Sequence, residues 1–323
     1  MPGRKKELAN SNCRALKYYH STLNVQTKNI LITGACGQLG NEMQLQAAQN
    51  RQYRWFFTDV CSVSDGTAVV PLDITDRTAV DSFVEDNAID IIVNCAAYTA
   101  VDRAEADEER ALLLNATAPG YLAEAIERRG GQLIQISTDY VFDGTVHTPY
   151  VEDAATCPAS AYGRTKLAGE KAVLAANPSA MVIRTAWLYS TFGNNFVKTM
   201  LRLGREKDQL GVIFDQIGTP TYARDLAAAI MTAINQGIVP GIYHFTDEGV
   251  TSWYDFTLAI HRLAGLTTCH VRPLHTSEYP TPAARPHYSV LDKTKIKQTY
   301  GIEIPHWEKS LQECIESLNR QAE

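Results

Sequence analysis

The sequence predicts an α/β fold, built on a doubly wound parallel sheet with a smaller C-terminal lobe. Three observations support this. From residue 29 onward, short apolar runs alternate with longer amphipathic stretches, the pattern of parallel strands covered by helices on both faces. A glycine-rich turn, GACGQLG at residues 34–40, directly follows the first run. Asp59 ends the second run about twenty residues further on, as in Rossmann-like sheets.

The predicted elements follow in that alternating order. Apolar runs predict strands at residues 29–33, 55–59, 89–94, 133–137 and 181–184. Amphipathic stretches predict helices at residues 39–49, 77–86, 105–129 and 162–176. Beyond residue 184 the rhythm becomes irregular, with a helix at 196–207 and a loop rich in Pro and Thr at 276–286.

Composition narrows the class of protein. The 323 residues include 30 Lys and Arg against 36 Asp and Glu, a net charge of -6. Without a basic stripe, this balance argues against nucleic acid or an acidic membrane surface as partner. Seven dispersed cysteines without a CxxC pair suit a reducing cytoplasm, and no apolar run is long enough to span a membrane. Residues 1–28 lack the apolar core of a secretory signal, so we expect no targeting role for them. They also show no strand or helix periodicity, so we expect a disordered N-terminal extension.

The glycine turn predicts a dinucleotide site. Its small residues let the backbone approach a pyrophosphate, whose charge is stabilised by the N-terminus of the following helix. Asp59 is placed to accept hydrogen bonds from an adenosine ribose, a solvated loop carboxylate being the alternative. No arginine directly follows Asp59, so nothing there selects the 2′-phosphate of NADPH over NADH. We assign residues 29–190 to a dinucleotide-binding domain and 191–323 mainly to a substrate-binding lobe, with the chain crossing between them.

Tyr162 and Lys166 stand four positions apart, on one face of a predicted helix. A free tyrosine has a pKa of about 10, and an ammonium about 4 Å away supplies on the order of 4 kcal/mol, enough to lower that pKa toward neutrality. A partly buried tyrosine beside a surface lysine is the alternative. Thr138, at the end of a predicted strand, favours catalysis because its hydroxyl can polarise a ligand carbonyl. Together these residues predict hydride transfer with a nicotinamide cofactor.

Two further residues, Asn115 and Trp187, each allow both a structural and a functional interpretation. Asn115 either holds a water behind Lys166 or bonds to the backbone. Trp187 follows a strand end, where it is either a core aromatic or a residue that stacks on substrate. Histidines 270, 275, 287 and 306 lack the spacing of a metal site.

The glycine turn, threonine, tyrosine and lysine, in this order, resemble the extended short-chain dehydrogenase/reductases, and more narrowly the dTDP-4-dehydrorhamnose reductase family. The matching segments are residues 29–40, 90–105 (DIIVNCAAYTAVDRAE), 137–143 (STDYVFD), 162–171 (YGRTKLAGEK), 194–203 (NNFVKTMLRL) and 280–286. This resemblance implies reduction of the C4 keto group of dTDP-4-dehydro-L-rhamnose by NADPH or NADH. Tyr162 would donate the proton while Thr138 holds the developing oxyanion.

The same resemblance implies which residues contact the two ligands. The cofactor would be lined by Gly34, Gly37, Gln38, Leu39, Gly40, Asp59, Asp73, Ile74, Ala97, Tyr98, Thr99, Tyr162 and Lys166. The dTDP-sugar would be contacted by Val101, Asp102, Thr138, Asp139 and Trp187.

Three related functions are alternatives. A sugar-nucleotide dehydratase would carry a glutamate after Thr138 and Asp139, where this chain has Tyr140. A sugar-nucleotide epimerase, which keeps NAD bound, stays open. So does a non-catalytic subunit that resembles the regulatory subunit of methionine adenosyltransferase.

Some members of the family dimerise through a magnesium ion held by acidic side chains. Glu42 matches one of these ligands, but Arg224 or a neighbour and His306 stand at the other two positions. We therefore predict no structural metal, and both a monomer and a homodimer stay open.

Overall fold

The computed structural model describes residues 27–60 and 69–322. The predicted extension, apart from residues 27 and 28, lies outside the described residues. Within them the strands are β1 (Asn29–Thr33), β2 (Arg54–Asp59), β3 (Val69–Pro71), β4 (Ile91–Asn94), β5 (Gln132–Thr138), β6 (Met181–Thr185), β7 (Leu188–Tyr189), β8 (Gln209–Ile213), β9 (Ile217–Gly218), β10 (Thr221–Tyr222), β11 (Gly241–His244), β12 (Thr251–Ser252) and β13 (His270–Leu274).

Helices connect most of these strands. They are α1 (Gln38–Gln49), α2 (Arg77–Asp86), α3 (Val101–Ala104), α4 (Glu108–Leu112), α5 (Ala118–Arg128), α6 (Ala161–Ala176), α7 (Phe196–Glu206), α8 (Ala223–Gln236), α9 (Trp253–Leu263), α10 (Thr294–Tyr300) and α11 (Trp307–Ala322). Among the described residues, no helix has both the length and the apolar character needed to cross a bilayer.

Seven parallel strands form the central sheet, in the order β3-β2-β1-β4-β5-β6-β11. The chain runs outward from β1 to β3 and then returns to the other side of β1 as β4. At such a switch point the loops after neighbouring strands diverge and leave a crevice at their carboxyl ends. The predicted fold class, a doubly wound Rossmann-like sheet, is confirmed.

The sheet is covered on both faces, which explains why its strands are continuous apolar runs rather than alternating ones. On one face, Ile30 and Ile32 of β1 pack in a buried cluster with residues of α1 and α8. On the other face, Leu31 packs with residues of α2 and α5. Burial on both sides holds the carboxyl ends of β1, β4 and β5 in register, and these ends carry the candidate site.

A second apolar cluster forms the smaller part of the molecule. Residues of α7, α9 and α11 enclose it, and Phe256, Trp307 and Tyr189 are among its buried aromatics. The short pairs β7 with β10, β9 with β12 and β8 with β13 border this cluster. By contrast, α8 and β11, which also come from beyond residue 190, belong to the central sheet layer.

The predicted strands are confirmed as β1, β2, β4, β5 and β6, and four predicted helices as α1, α2, α6 and α7. The helix predicted at residues 105–129 is confirmed from Glu108 to Arg128, but it is not regular throughout. It consists of α4, a π-helical turn at Leu113–Thr117 and α5, which follow one another without a break. Pro119, at the start of α5, has no N–H to donate to the carbonyl of Asn115, so the regular ladder is interrupted there.

Candidate active site

A cavity of about 670 Å³ opens beyond the carboxyl ends of β1, β4 and β5. Most of the predicted ligand contacts line it: Gly34, Gly37, Gln38, Leu39, Asp59, Ile74, Ala97, Thr99, Val101, Thr138, Asp139, Tyr162, Lys166 and Trp187. Four predicted contacts do not: Gly40, Asp73, Tyr98 and Asp102. The fold therefore gathers residues that are up to 153 positions apart, from Gly34 to Trp187, around one space.

The glycine turn is shaped by close backbone contacts. Gly34 has a φ of +64°, and a Cβ there would lie 2.6 Å from the amide nitrogen of Ala96. A Cβ on Gly40 would lie 2.2 Å from the carbonyl oxygen of Gly34. Both positions therefore require glycine. The turn brings Gly37, the N-cap of α1, to the cavity wall, an arrangement that fits the pyrophosphate of a dinucleotide.

Asp59 holds the turn in place. Its Oδ2 accepts a hydrogen bond of 2.9 Å from the backbone N–H of Cys36, and its Oδ1 accepts one of 2.7 Å from Val60. The carboxylate is thus tied to the glycine turn rather than being a freely solvated loop acid. Asp59 also lines the cavity, where a carboxylate is a suitable acceptor for a ribose hydroxyl.

Tyr162, Thr138 and Lys166 meet where α6 crosses the end of β5. Tyr162 and Thr138 line the same part of the cavity, and the Thr138 hydroxyl lies close enough to Tyr162 to lower its pKa. The Lys166 ammonium is buried and donates a 2.6 Å hydrogen bond to the carbonyl oxygen of Ile136. Tyr140 packs edge-on against Tyr162, with ring centroids 5.5 Å apart. This packing fixes the phenol ring at the cavity wall.

The protonation states differ from the sequence-based expectation. Burial raises the pKa of Tyr162 to about 12, although the neighbouring Thr138 hydroxyl lowers it in part. Burial also lowers the pKa of Lys166 to about 8, opposed by the charge of Glu170. The expected decrease of the tyrosine pKa is therefore wrong for the protein without ligands, because burial raises that pKa and the charge of Asp139 raises it further. Tyr162 is a protonated phenol at neutral pH, which is the state a proton donor needs.

Asp139 directly follows Thr138 and orients it. The Thr138 hydroxyl donates a 2.9 Å hydrogen bond to Oδ1 of Asp139. The Asp139 side chain is buried, and this burial raises its pKa to about 6, with the nearby hydroxyls of Ser289 and Thr138 offsetting only part of the effect. A carboxylate kept in such a position next to the reactive tyrosine is typical of a functional site.

Asn115 bonds to the backbone, the second of its two readings. Its Oδ1 accepts from the N–H of Tyr98 at 2.9 Å, and its Nδ2 donates to the carbonyl of Tyr98 and to Oγ1 of Thr165 at 3.2 and 3.1 Å. The amide therefore fastens the loop after β4 to helix α6. It has no donor left for a water behind Lys166.

Trp187 stands in an unusual backbone conformation, with a φ of +48°. Its ring stacks on Trp253 at a centroid distance of 3.5 Å, and both rings line the cavity. A Cβ on Gly218 would lie 2.6 Å from Cε2 of Trp187, so only glycine leaves room for the indole. A strained residue that its neighbours hold in place is found most often at ligand sites.

Three contributors to the cavity were missed by sequence reasoning. Trp253 and Gly218 carried no local signal, because their significance comes only from contact with Trp187. Asn195 lies in the matched NNF segment, and its Nδ2 donates to Oε1 of Gln38 at 3.0 Å. That bond ties the start of α7 to the glycine turn.

The other predicted contacts have local roles. Asp73 accepts hydrogen bonds from the backbone and hydroxyl of Thr75, at 2.9 and 2.7 Å. Asp102 is paired with Arg285. The Tyr98 hydroxyl donates to Asp107 at 3.4 Å.

Glu42, the candidate magnesium ligand, is buried and accepts a 2.6 Å hydrogen bond from the hydroxyl of Ser190. Arg224 lies near it and pairs with Glu313 at 3.9 Å, while His306 packs beside Trp307. Within residues 27–60 and 69–322, no group of three metal-ligating side chains is arranged to hold an ion. The absence of a structural metal stays a prediction.

Comparisons with known proteins agree with this geometry. A family model described as RmlD substrate binding domain matches residues 28–320. A solved dTDP-4-dehydrorhamnose reductase from Clostridium acetobutylicum is 45% identical, with a TM-score of 0.84 over 90% of this chain and 99% of that one. Another from Bacillus anthracis, in complex with NADP, is 36% identical with the same TM-score and coverage.

A curated relative from Streptomyces antibioticus has a different substrate in its name. It is called a probable dTDP-4,6-dihydroxy-2-methyloxan-3-one 4-ketoreductase, and it is 43% identical over 290 residues, which are 89% of this chain and 95% of that protein. The residues matched by the family model include the glycine turn and Thr138, Tyr162 and Lys166. The chain belongs to the RmlD family, among the dTDP-4-dehydrorhamnose reductases of the extended short-chain dehydrogenase/reductase superfamily.

Proposed function

We propose that this protein reduces the C4 keto group of dTDP-4-dehydro-L-rhamnose to dTDP-L-rhamnose, with NADPH or NADH as the reductant. The observation that carries the proposal is the placement of Tyr162, Thr138 and Lys166 on the wall of one cavity, with Lys166 one helical turn beyond Tyr162 on α6. The glycine turn at the other end of the same cavity has the close-packed backbone that a dinucleotide requires. Both halves of a hydride-transfer site thus share one space.

The residues divide the chemistry between them. A bound nicotinamide cofactor supplies the hydride. Tyr162, protonated at neutral pH, gives its hydroxyl proton to the C4 oxygen as negative charge develops there. Thr138 has a single hydroxyl proton, which Asp139 accepts in this structure, so holding the oxyanion requires that hydroxyl to rotate into the cavity. Lys166 uses one of three donors on Ile136 and keeps two for the cofactor ribose.

The cofactor is either NADPH or NADH. The Bacillus anthracis relative was solved with NADP, which supports NADPH. Asp59 argues in the other direction, because its carboxylate stands at the wall of the cavity where a ribose hydroxyl, rather than a 2′-phosphate, is the better partner. The chain's preference is settled by measuring both affinities.

The keto sugar of the Streptomyces antibioticus relative is the second candidate substrate. Both are dTDP-linked sugars reduced at C4, so the catalytic residues serve either, and the wall formed by Trp187 and Trp253 would distinguish them.

We further propose that the protein acts in the cytoplasm on this small-molecule substrate, as a monomer or homodimer. In this proposal residues 29–190 mainly bind the dinucleotide and residues 191–323 mainly complete the sugar-nucleotide side.

One assay tests the proposal. The purified protein is mixed with NADPH and dTDP-4-dehydrorhamnose, and loss of the near-ultraviolet absorbance of the reduced cofactor is followed. Tyr162→Phe removes one oxygen atom and should lower kcat by about 10² to 10⁴-fold while NADPH still binds. A parallel reaction contains the Streptomyces keto sugar. Bound NADPH without oxidation on either substrate would favour the non-catalytic alternative, and full activity of the variant would remove Tyr162 from the mechanism.

A further inference from the structure

Glu170 lies one turn beyond Lys166 on α6, and its carboxylate reaches the same end of β5. The hydroxyl of Ser137 donates a 2.5 Å hydrogen bond to Oε1 of Glu170. Lys166 contacts the adjacent residue, Ile136, through its carbonyl oxygen. Residues four apart lie on one face of a helix, so both side chains extend from α6 to adjacent residues at the end of β5.

Arg184 of β6 holds Glu170 with two hydrogen bonds. Its Nε donates to Oε1 at 2.9 Å and its Nη2 donates to Oε2 at 2.7 Å, and both side chains are at most 3% exposed. Arg184 also donates to the carbonyl of Glu152 at 3.2 Å, beside the ring of His244. The carboxylate is therefore fixed in one position inside the protein.

Stability alone is a weak reason for such a pair. Removing two charges from water costs so much that apolar residues of the same volume often stabilise a core equally well. Within the described chain, Glu170 is the carboxylate whose charge acts on Lys166, and it opposes the burial that favours loss of the ammonium proton. The ion pair thus has a local electrostatic effect on the residue at the cavity.

The other groups around Lys166 do not replace this effect. The polar groups on the elements around Lys166 are Tyr162 on α6, Thr138 at the end of β5, Asp139 directly after it, Arg184 on β6 and the neutral amide of Asn115 in the π-helical turn. Tyr162 is protonated and neutral at working pH, and Asp139 is turned toward Thr138.

We propose that Glu170, held by Arg184, is a positioning residue that keeps Lys166 protonated and fixed against the end of β5. This inference rests on the proposed function, because the proposed function places Lys166 beside the cofactor ribose. Its first test uses no substrate and no cofactor, so the two proposals fail separately.

The direct test follows the titration of Lys166. Protein labelled with ¹³C at lysine Cε is titrated by NMR, and the Lys166 resonance is assigned by its loss in Lys166→Arg. Glu170→Gln keeps the shape of the side chain without its charge, and it should lower the titration midpoint by about one pH unit. NADPH affinity at pH 8, measured by fluorescence, should then fall by about three- to ten-fold, since more of the lysine is neutral.

Two further variants separate charge from structural damage. Glu170→Gln/Arg184→Gln leaves no unpaired buried guanidinium, so it should recover folding stability while it keeps the lowered midpoint. Glu108→Gln is the control. It breaks an exposed ion pair between Glu108 of α4 and Arg164 of α6, the helix that also carries Lys166, and it should leave the titration midpoint of Lys166 unchanged. An unshifted Lys166 in Glu170→Gln, or a wild-type midpoint in the double variant, would overturn the proposal.

Discussion

Arg285 joins Asp102 through two parallel hydrogen bonds, from Nη1 to Oδ1 at 3.0 Å and from Nη2 to Oδ2 at 2.8 Å. The backbone N–H of Ala283 donates a third, at 3.2 Å, to Oδ1. Asp102 lies on α3, beside the cavity wall, whereas Arg285 and Ala283 belong to the proline-rich loop that follows the smaller cluster. This carboxylate thus fastens the loop to the sheet unit.

Replacement of Asp102 by asparagine should destabilise the protein in a pH-dependent way. The guanidinium of Arg285 holds the pKa of Asp102 below its ordinary value, so the pair's contribution is present above the unfolded pKa of about 3.9 and is lost as pH falls through the lower, folded value. Because the Asp102 side chain is 41% exposed, we expect a loss of only about 0.5 to 1 kcal/mol at pH 7. Urea unfolding at pH 7 and pH 3.5 measures this difference, and an equal loss at both values would contradict it.

Gly218→Ala should impair sugar-nucleotide binding without affecting the cofactor. The added Cβ would stand 2.6 Å from Cε2 of Trp187, which must then leave its stack on Trp253. We expect KM for the keto sugar to rise about ten-fold, equivalent to roughly 1.4 kcal/mol, whereas the Kd of NADPH stays unchanged. Trp187→Phe should reproduce the pattern. A normal KM in Gly218→Ala would show that the position of the indole does not affect substrate binding.

Gly169→Ala and Gly120→Ala test the contact between α6 and the π-helical turn. A Cβ on Gly169 would lie 1.9 Å from the carbonyl oxygen of Asn115, so the two segments must separate, and we expect a loss of about 1 to 3 kcal/mol. A Cβ on Gly120 meets only the Cβ of Ala172, at 3.7 Å. That variant should gain about 0.5 to 1 kcal/mol from its better helix propensity. Urea unfolding of both variants measures the two effects, and equal changes in stability would contradict the close contact at Gly169.

The sequence predicted the structural features that depend only on residues close together in the chain. The run before Gly34 predicted β1 and the turn after it, because strand, turn and helix start are contiguous in the chain. Tyr162 and Lys166 were predicted to share a helix face, since that follows from helical spacing alone. Pro119 indicates that the regular helical hydrogen bonding is interrupted before it. The amphipathic pattern continues across this point, however, so the sequence predicted one regular helix.

Features that arise from distant contacts were not predictable in the same way. Trp253 becomes part of the cavity only because it meets Trp187, 66 positions earlier in the chain. The direction of the Tyr162 pKa shift depends on burial, which the fold imposes and spacing does not reveal. Glu170 was visible in the sequence, but its pairing with Arg184 depends on the parallel register of β5 and β6.

Asp139→Asn should make the protein more stable at neutral pH. The folded pKa of Asp139 is about 6, above the unfolded value of about 3.9, so the native state binds more protons between these values. Stability therefore decreases as pH rises from about 4 to 6, and by pH 7 the buried charge costs up to about 3 kcal/mol. The neutral amide removes this cost, so the variant should gain stability at pH 7 and gain much less at pH 4.

The proposed mechanism predicts no loss of activity. The Thr138 hydroxyl must leave Asp139 to reach the C4 oxygen, and the neutral amide holds it with a hydrogen bond that is no longer charge-assisted, so we expect kcat to equal or exceed the wild-type value. Asp143→Asn is the matched control, because hydrogen bonds from Thr145 and Tyr150 lower the pKa of that exposed carboxyl and predict a pH dependence of opposite sign. Urea unfolding at pH 4 and pH 7 and the steady-state kcat test both parts. An Asp139→Asn protein with the wild-type slope of stability against pH would mean that the carboxylate is not held ionised against a cost.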